Sequence, residues 1–369
     1  MRALACVIGD MDLLAPLGRA GIDCVAVAPP GSPPTLSRFV QATIPRPEGC
    51  APDALLDALL RFGAAQPVKP VLYVQDDDAL LLASRHRAVL APFYRLPLAD
   101  AALLEALVDK ARFAELAARH GLPVPVTRSI ADADDGLRFP VIVKPLMRDA
   151  AWTGAAKALR ADTPDALRAL RRCHGQALLV QEFIPGPETR IESHHVYADA
   201  TGTIAAEFTG RKIRTWPAAF GHSTAVEITD APDIAALGRR VVRALGLRGV
   251  AKLDIKRGAD GALHLLEINP RFTLWHHLGA AVGVNIPALV HADLCGLPRP
   301  PVTPARPGAA WLRPREDWRA ARAAGMAPLR WLRFLREAAA NASFDPHDPM
   351  PFLRGEAWNG LKRSFAGRF

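Results

Sequence analysis

Cysteine is scarce and follows no pattern: Cys6, Cys24, Cys50, Cys173 and Cys295 are odd in number and contain no Cys-x-x-Cys spacing. A zinc site or a disulfide framework is not expected, and the residues read as free or buried thiols in a reducing compartment. No apolar run approaches the roughly 20 residues that a membrane-spanning helix needs. The run after Met1-Arg2 is interrupted within six residues by Gly9-Asp10-Met11-Asp12, too short for a signal-peptide core. A cytoplasmic protein with no membrane partner is therefore expected. Gly-x-Gly-x-x-Gly is missing, which argues against a dinucleotide site. Basic runs with interleaved aromatics are missing too, so the net charge of +9 does not point to nucleic acid. Its arginines are spread through helical patterns among acids, and a surface of that kind favours small anions. No internal repeat or low-complexity tract is present.

What is present is a chain of 369 residues, 50% hydrophobic and 22% charged, enough for two or three globular domains. Residues 3–8 read as a buried strand and Leu13–Ala20 as a helix, with Cys24–Ala28 a second strand. This strand–helix–strand unit predicts parallel pairing and a small doubly wound α/β domain over residues 1–100. Asp53–Phe62 reads as a helix and Pro70–Val74 as a third strand. The acidic run Asp76-Asp77-Asp78 is best explained as capping the helix Ala79–Arg87 at its positive end. Leu103–His120 is expected to be helical, as are Thr163–Cys173 and Asp233–Leu245.

The most informative stretch is Lys252–Phe272. Two alternating segments, Val250–Lys256 and Leu263–Asn269, flank Gly258-Ala-Asp-Gly261, a composition suited to a hairpin. Alternation puts Lys252, Asp254 and Lys256 on one face and Leu253 and Ile255 on the other. Pairing can then gather Asp254, Glu267 and Asn269 beside Lys252 and Arg271. Three oxygen donors with neighbouring cations suit Mg²⁺ bridging nucleotide phosphates. A second signal is Phe139-Pro-Val-Ile-Val-Lys144, a lysine ending an apolar strand with its ammonium aimed into a cleft. Gly210-Arg211-Lys212-Ile213-Arg214 reads as a basic loop, in which Arg211 or Arg214 could hold a carboxylate, or Lys212 a phosphate.

Asp254 with Glu267-x-Asn269-Pro270-Arg271 resembles the metal-binding end of the ATP-grasp superfamily, and other motifs follow in that superfamily's order. They are Asp109-Lys110-x-x-Phe113, the Lys144 strand and Gln181-Glu182-Phe183-Ile184-Pro-Gly-Pro-Glu188. The resemblance covers about residues 1–297 and implies an ATP-grasp fold, α/β with α+β lobes, preceded by the small doubly wound domain. The implied grasp domain is 101–297 with a lid over about 126–185, followed by a linker and helical extension, 298–369. ATP and Mg²⁺ (or Mn²⁺) are the implied cofactors. Lys110 and Lys144 are expected on phosphates, the backbone of Glu182, Phe183 and Ile184 on adenine, and Glu188 on ribose. Asp254, Glu267 and Asn269 are expected to hold metal, while Lys252 and Arg271, with Arg211 and Arg214, serve catalysis. Arg148 and Thr153 lie in the loop Leu146–Gly154 expected beside the phosphates.

The implied activity is ATP-dependent ligation of a small carboxylate to an amine through an acyl phosphate. Alternatives are a carboxyl- or carbamoyl-phosphate-forming enzyme and a nucleotide-binding module without turnover. The expected partners are the small carboxylate and amine, and a homodimer is compatible. Trp275-His276-His277 is expected to line the acceptor pocket or to be plain structure. Trp311–Arg336 reads as an amphipathic helical segment broken at Gly325 and Pro328, packed on the grasp domain or, in a second reading, lying on a membrane surface.

Overall fold

The computed structural model describes residues 2–132, 137–145, 158–174 and 178–357. The chain opens with four parallel strands, β1 (Ala5–Ile8), β2 (Cys24–Ala28), β3 (Val40–Pro45) and β4 (Val71–Val74), in the order β3-β2-β1-β4. Fully apolar runs such as Cys24–Ala28 are buried on both faces, as parallel strands require. The order reverses between β1 and β4, so a crevice opens at their C-terminal ends, at Gly9–Asp10 and Gln75–Asp77. Asp10 caps the helix Met11–Arg19 and Asp76 caps Asp77–Arg85, its carboxylate accepting from Ala79 N–H at 2.7 Å.

A second sheet, β5 (Thr127–Ser129), β6 (Val141–Pro145), β7 (Leu159–Ala161) and β8 (Leu178–Glu182), is antiparallel in the order β5-β8-β6-β7. It packs on the helix Pro164–His174 around its own small core, including Ile130, Val141, Leu167 and Val180.

The third sheet has seven strands: β9 (Ile191–Ala198), β10 (Ile204–Trp216), β11 (His222–Thr229), β12 (Gly249–Arg257), β13 (Leu263–Asn269), β14 (Ala310–Leu312) and β15 (Ala340–Asn341). Their order is β13-β12-β9-β10-β11-β14-β15. One face, through Leu253, Ile255 and Ile268, packs on the helices Pro232–Ala244 and Lys110–Arg119. The other meets Trp275–Ala281 and Ile286–Cys295, and here Phe208, Val226 and Trp275 share one continuous core with Val7, Leu13 and Leu17 of the N-terminal sheet.

Three expectations are corrected. The helix expected over Leu103–His120 is two helices, Ala101–Val108 and Lys110–Arg119. Asp109 leaves the helical conformation and caps the second one, its carboxylate accepting from Ala111 and Arg112 N–H; an aspartate gains more there than in a helix interior. The basic loop expected at Gly210–Trp216 is the second half of the long strand β10. The helical pattern expected from Trp311 begins with strand β14; the helices Pro314–Ala323 and Pro328–Glu337 each start at a proline. Residues after 308 therefore add two strands to the central sheet. Trp311 is fully buried, its indole N–H donating to Asp12 at 2.8 Å.

Candidate active site

The β12–β13 hairpin forms with the expected pairing: Asp254 lies opposite Glu267 and Lys252 opposite Asn269. Opposite residues share a face, so these four side chains make one polar patch above a buried apolar layer. Asp254 is buried and accepts from Lys252 Nζ at 2.6 Å, while Asn269 Nδ2 donates to Glu267 Oε1 at 3.3 Å. Burial raises the Asp254 carboxyl above its usual range; Lys252 opposes this and Glu267 adds to it. A buried carboxylate facing an exposed one, with an amide oxygen beside them, is a donor set for a hard cation that solvent can reach from the Glu267 side. The residues present thus fit Mg²⁺.

Lysines from four elements gather around this patch. Lys144, next to last in β6, donates to Gln181 Oε1 at 2.8 Å, and Gln181 is held in place by its own bond to Thr127 Oγ1 at 2.9 Å. Burial lowers the Lys144 pKa, against the pull of Glu267 and Glu188. Lys110 opens the helix Lys110–Arg119 and reaches Pro145 O at 3.1 Å. Lys212 of β10 lies 3.6 Å from Glu188, and Lys256 of β12 bonds Gly186 O at 2.9 Å and sits 5.3 Å from the Phe183 ring centre. Burial also lowers the Lys256 pKa, with Glu188 opposing and Lys212 reinforcing it. Ammonium groups outnumber the acids here, a balance that favours anions. Glu182 ends β8 and its N–H donates to Val126 O at 2.8 Å, leaving Phe183 and Ile184 as the part that runs beyond the strand.

Two expected catalytic residues are placed elsewhere. Arg211 pairs with Glu227 across β11, Nε to Oε1 2.5 Å, with its side chain half-exposed. Arg214 makes a two-pronged bond to the buried Asp317, 2.7 Å on each arm. The strand alternates, but its register shifts between Lys212 and Arg214 and again before Thr215, so parity with Lys212 does not carry Arg214 into the cleft. Arg271 is shared: Nη2 reaches Asn269 Oδ1 at 3.4 Å, while Nε bonds Asp77 at 2.5 Å and Nη1 bonds Gln75 O at 2.9 Å. It therefore ties the hairpin to the crevice at the N-terminal sheet. The two histidines are structural: His276 Nδ1 accepts from Thr273 N–H, and His277 Nδ1 bonds Asp12 at 2.9 Å. Arg148, Thr153 and the segment Leu146–Gly154 lie outside the described residues.

Sequence reading alone misses Ser193 and His195. On β9 they lie opposite Asp254 and Lys252, buried, with Ser193 Oγ 2.9 Å from His195 Nε2 and the imidazole stacked on Phe208. Period-two alternation in Ile191–Ala198 marks them only once the neighbour strand is known.

Residues 174–312 match the model of a family described as ATP-grasp in the biosynthetic pathway with Ter operon. D-aspartate ligase of Enterococcus faecium (strain Aus0004) is 23% identical over 246 residues, 61% of this chain and 58% of that protein. D-alanine–D-alanine ligase of Nitratidesulfovibrio vulgaris (strain DP4) is 29% identical over 201 residues, 50% of this chain and 65% of that protein. The matches thus span less than two thirds of these relatives' length. Among solved structures, an ADP complex of purK, N5-carboxyaminoimidazole ribonucleotide synthetase, aligns with a TM-score of 0.66 at 16% identity, covering 83% of this chain and 80% of that one. L-amino acid ligase from Bacillus licheniformis aligns at 0.62 and 18%, covering 84% and 78%. These structural likenesses show that the chain has the ATP-grasp fold, and residues 174–312 resemble an ATP-grasp family.

Proposed function

We propose that the protein is an ATP-dependent ligase that activates a small carboxylate as an acyl phosphate and joins it to an amine of amino-acid or peptide-like character. The observation that carries this reading is the pairing of Asp254 with Glu267 and of Lys252 with Asn269 on one face, opposite Lys144 and Lys212. The named activities of the D-aspartate and D-alanine–D-alanine ligases agree with it. Asp254, Glu267 and Asn269 would hold Mg²⁺, which when bound neutralises charge on a transferring phosphoryl group. Lys144 and Lys110 would grip phosphates already charged in the ground state. Lys212 and Lys252 place fixed positive charge where negative charge grows, at little reorganisation cost. Phe183 and Ile184 offer backbone groups to adenine, and Glu188 a carboxylate to the ribose.

The test supplies ¹⁸O-labelled carboxylates with amines, in pairs, and follows phosphate release and products by mass spectrometry. Label in inorganic phosphate, with ADP, is the expected result. Label confined to product with AMP and pyrophosphate would mean adenylation and would overturn the reading. ADP release that depends on bicarbonate alone would reassign the protein to carboxyl-phosphate chemistry.

A further inference from the structure

The helix Pro328–Glu337 turns one face inward and leaves another with no cover among the described residues. Trp331 is buried, its indole N–H bonding Asp317 at 2.9 Å, and Phe334 lies under the Arg214 guanidinium. On the opposite side Leu329 is 81% and Leu332 52% exposed. With Arg333 and Arg336 they stand at i, i+3, i+4 and i+7, one stripe along the helix. Arg330 is exposed beside them, and the helix's one acid, Glu337, is already paired with Arg333 at 2.8 Å.

Charge is concentrated in this part of the chain. Residues 311–369 hold eleven basic and six acidic residues, +5 of the chain's +9. Single exposed leucines are ordinary; two of them one turn apart inside a ring of arginines are the pattern of a helix lying in a bilayer interface. The large aromatics that would anchor a protein partner, Trp331 and Phe334, are turned into the fold instead. No single described helix is long and apolar enough to cross a membrane.

We infer that the outer face of Pro328–Glu337 docks on an anionic lipid surface. Leu329 and Leu332 enter the headgroup layer, and Arg330, Arg333 and Arg336 pair with lipid phosphates.

Flotation of the full chain with phosphatidylcholine vesicles, plain or containing roughly a third phosphatidylglycerol, tests this. Binding to the anionic vesicles alone is expected, weakening as salt rises and the Debye length falls from about 10 Å at 0.1 M. The pair Leu329→Ser/Leu332→Ser should lower the bound fraction about fivefold or more, and Arg333→Glu/Arg336→Glu should abolish binding. The leucine variant should melt like the parent because both side chains are exposed, and the arginine variant, which loses the Arg333–Glu337 pair, should melt only slightly lower. Three outcomes overturn the inference: no binding to anionic vesicles, binding that ignores the leucine change, or binding to polyglutamate without binding to vesicles. A dimer in equilibrium sedimentation that the leucine change dissolves would show the face to be occupied by a second copy, and would also overturn it.

Discussion

Glu267 lies near the end of β13 and Arg271 four residues further on, yet the structure gives them different duties. Glu267 faces Asp254 and has no packing role on the apolar side of β13. Glu267→Gln should therefore abolish magnesium-dependent turnover while leaving the melting temperature within a degree or so, a change of a few tenths of a kcal/mol. Arg271 both reaches Asn269 and pairs with Asp77. If its charge acts on the reaction, Arg271→Ala should lose on the order of a hundredfold in kcat, as when one preorganised donor is removed. Asp77→Asn, which breaks the ion pair but keeps the guanidinium, should stay near the parent rate. Equal losses in both variants would make Arg271 a clamp and nothing more. At this scale the placement of a candidate side chain was legible where its motif sits on a regular strand, as for Lys144, Lys252, Asp254 and Glu267. It was not legible for Arg211 and Arg214, because a bulge in β10 and a distant partner, Asp317, decide their direction.

Elements are held by polar pairs as well as by cores. Asp317 is fully buried and accepts from Arg214, Thr224 and Trp331, joining β10, β11 and the two C-terminal helices. Arg214→Ala leaves that carboxylate uncompensated, and a loss of about 3–5 kcal/mol in urea unfolding is expected. Glu207 joins β10 to the helix Pro232–Ala244 through Arg239, and to β9 through His194. Burial opposes its ionisation, but the bonds from His194 and Arg239 outweigh it and hold the carboxyl at about 2, against 4.5 when free. A depressed acid stabilises fully above its unfolded pKa, so this contribution is present above pH 4.5 and is lost as pH falls through about 2. The urea midpoint of Glu207→Gln should accordingly fall less than the parent's over that window. Strands and helices with clean periodicity were readable in advance, among them β12, β13 and the helix Pro232–Ala244. The break at Asp109 and strand β14 were not, since a local cap and a distant edge strand override the helical pattern there.

At the scale of the molecule, the segment after residue 308 is built in. Strand β14 covers the edge of β11, and Trp311 fills the core shared by the N-terminal and central sheets. A chain ending at residue 308 would expose that edge and leave a cavity where the indole stood. It should elute as aggregate in size-exclusion chromatography, and the 369-residue chain as a single species. That a small parallel α/β sheet precedes the ATP-grasp fold was legible from the sequence, because the motifs come in order along the chain. The shared core was not, because its members lie hundreds of residues apart and none is marked by a local pattern.

The bonds that meet on Asp12 have a consequence for descent. His277 and Trp311 both donate to this one carboxylate, so three distant stretches of the gene specify one junction. Drift in any of the three has to be matched in the other two, and a crossover that replaces the N-terminal part alone yields an ill-fitting hybrid. The sheet β5–β8, with its own core, carries no such debt to the junction. Changes confined to the core of that sheet should accordingly leave the Asp12 junction as it is.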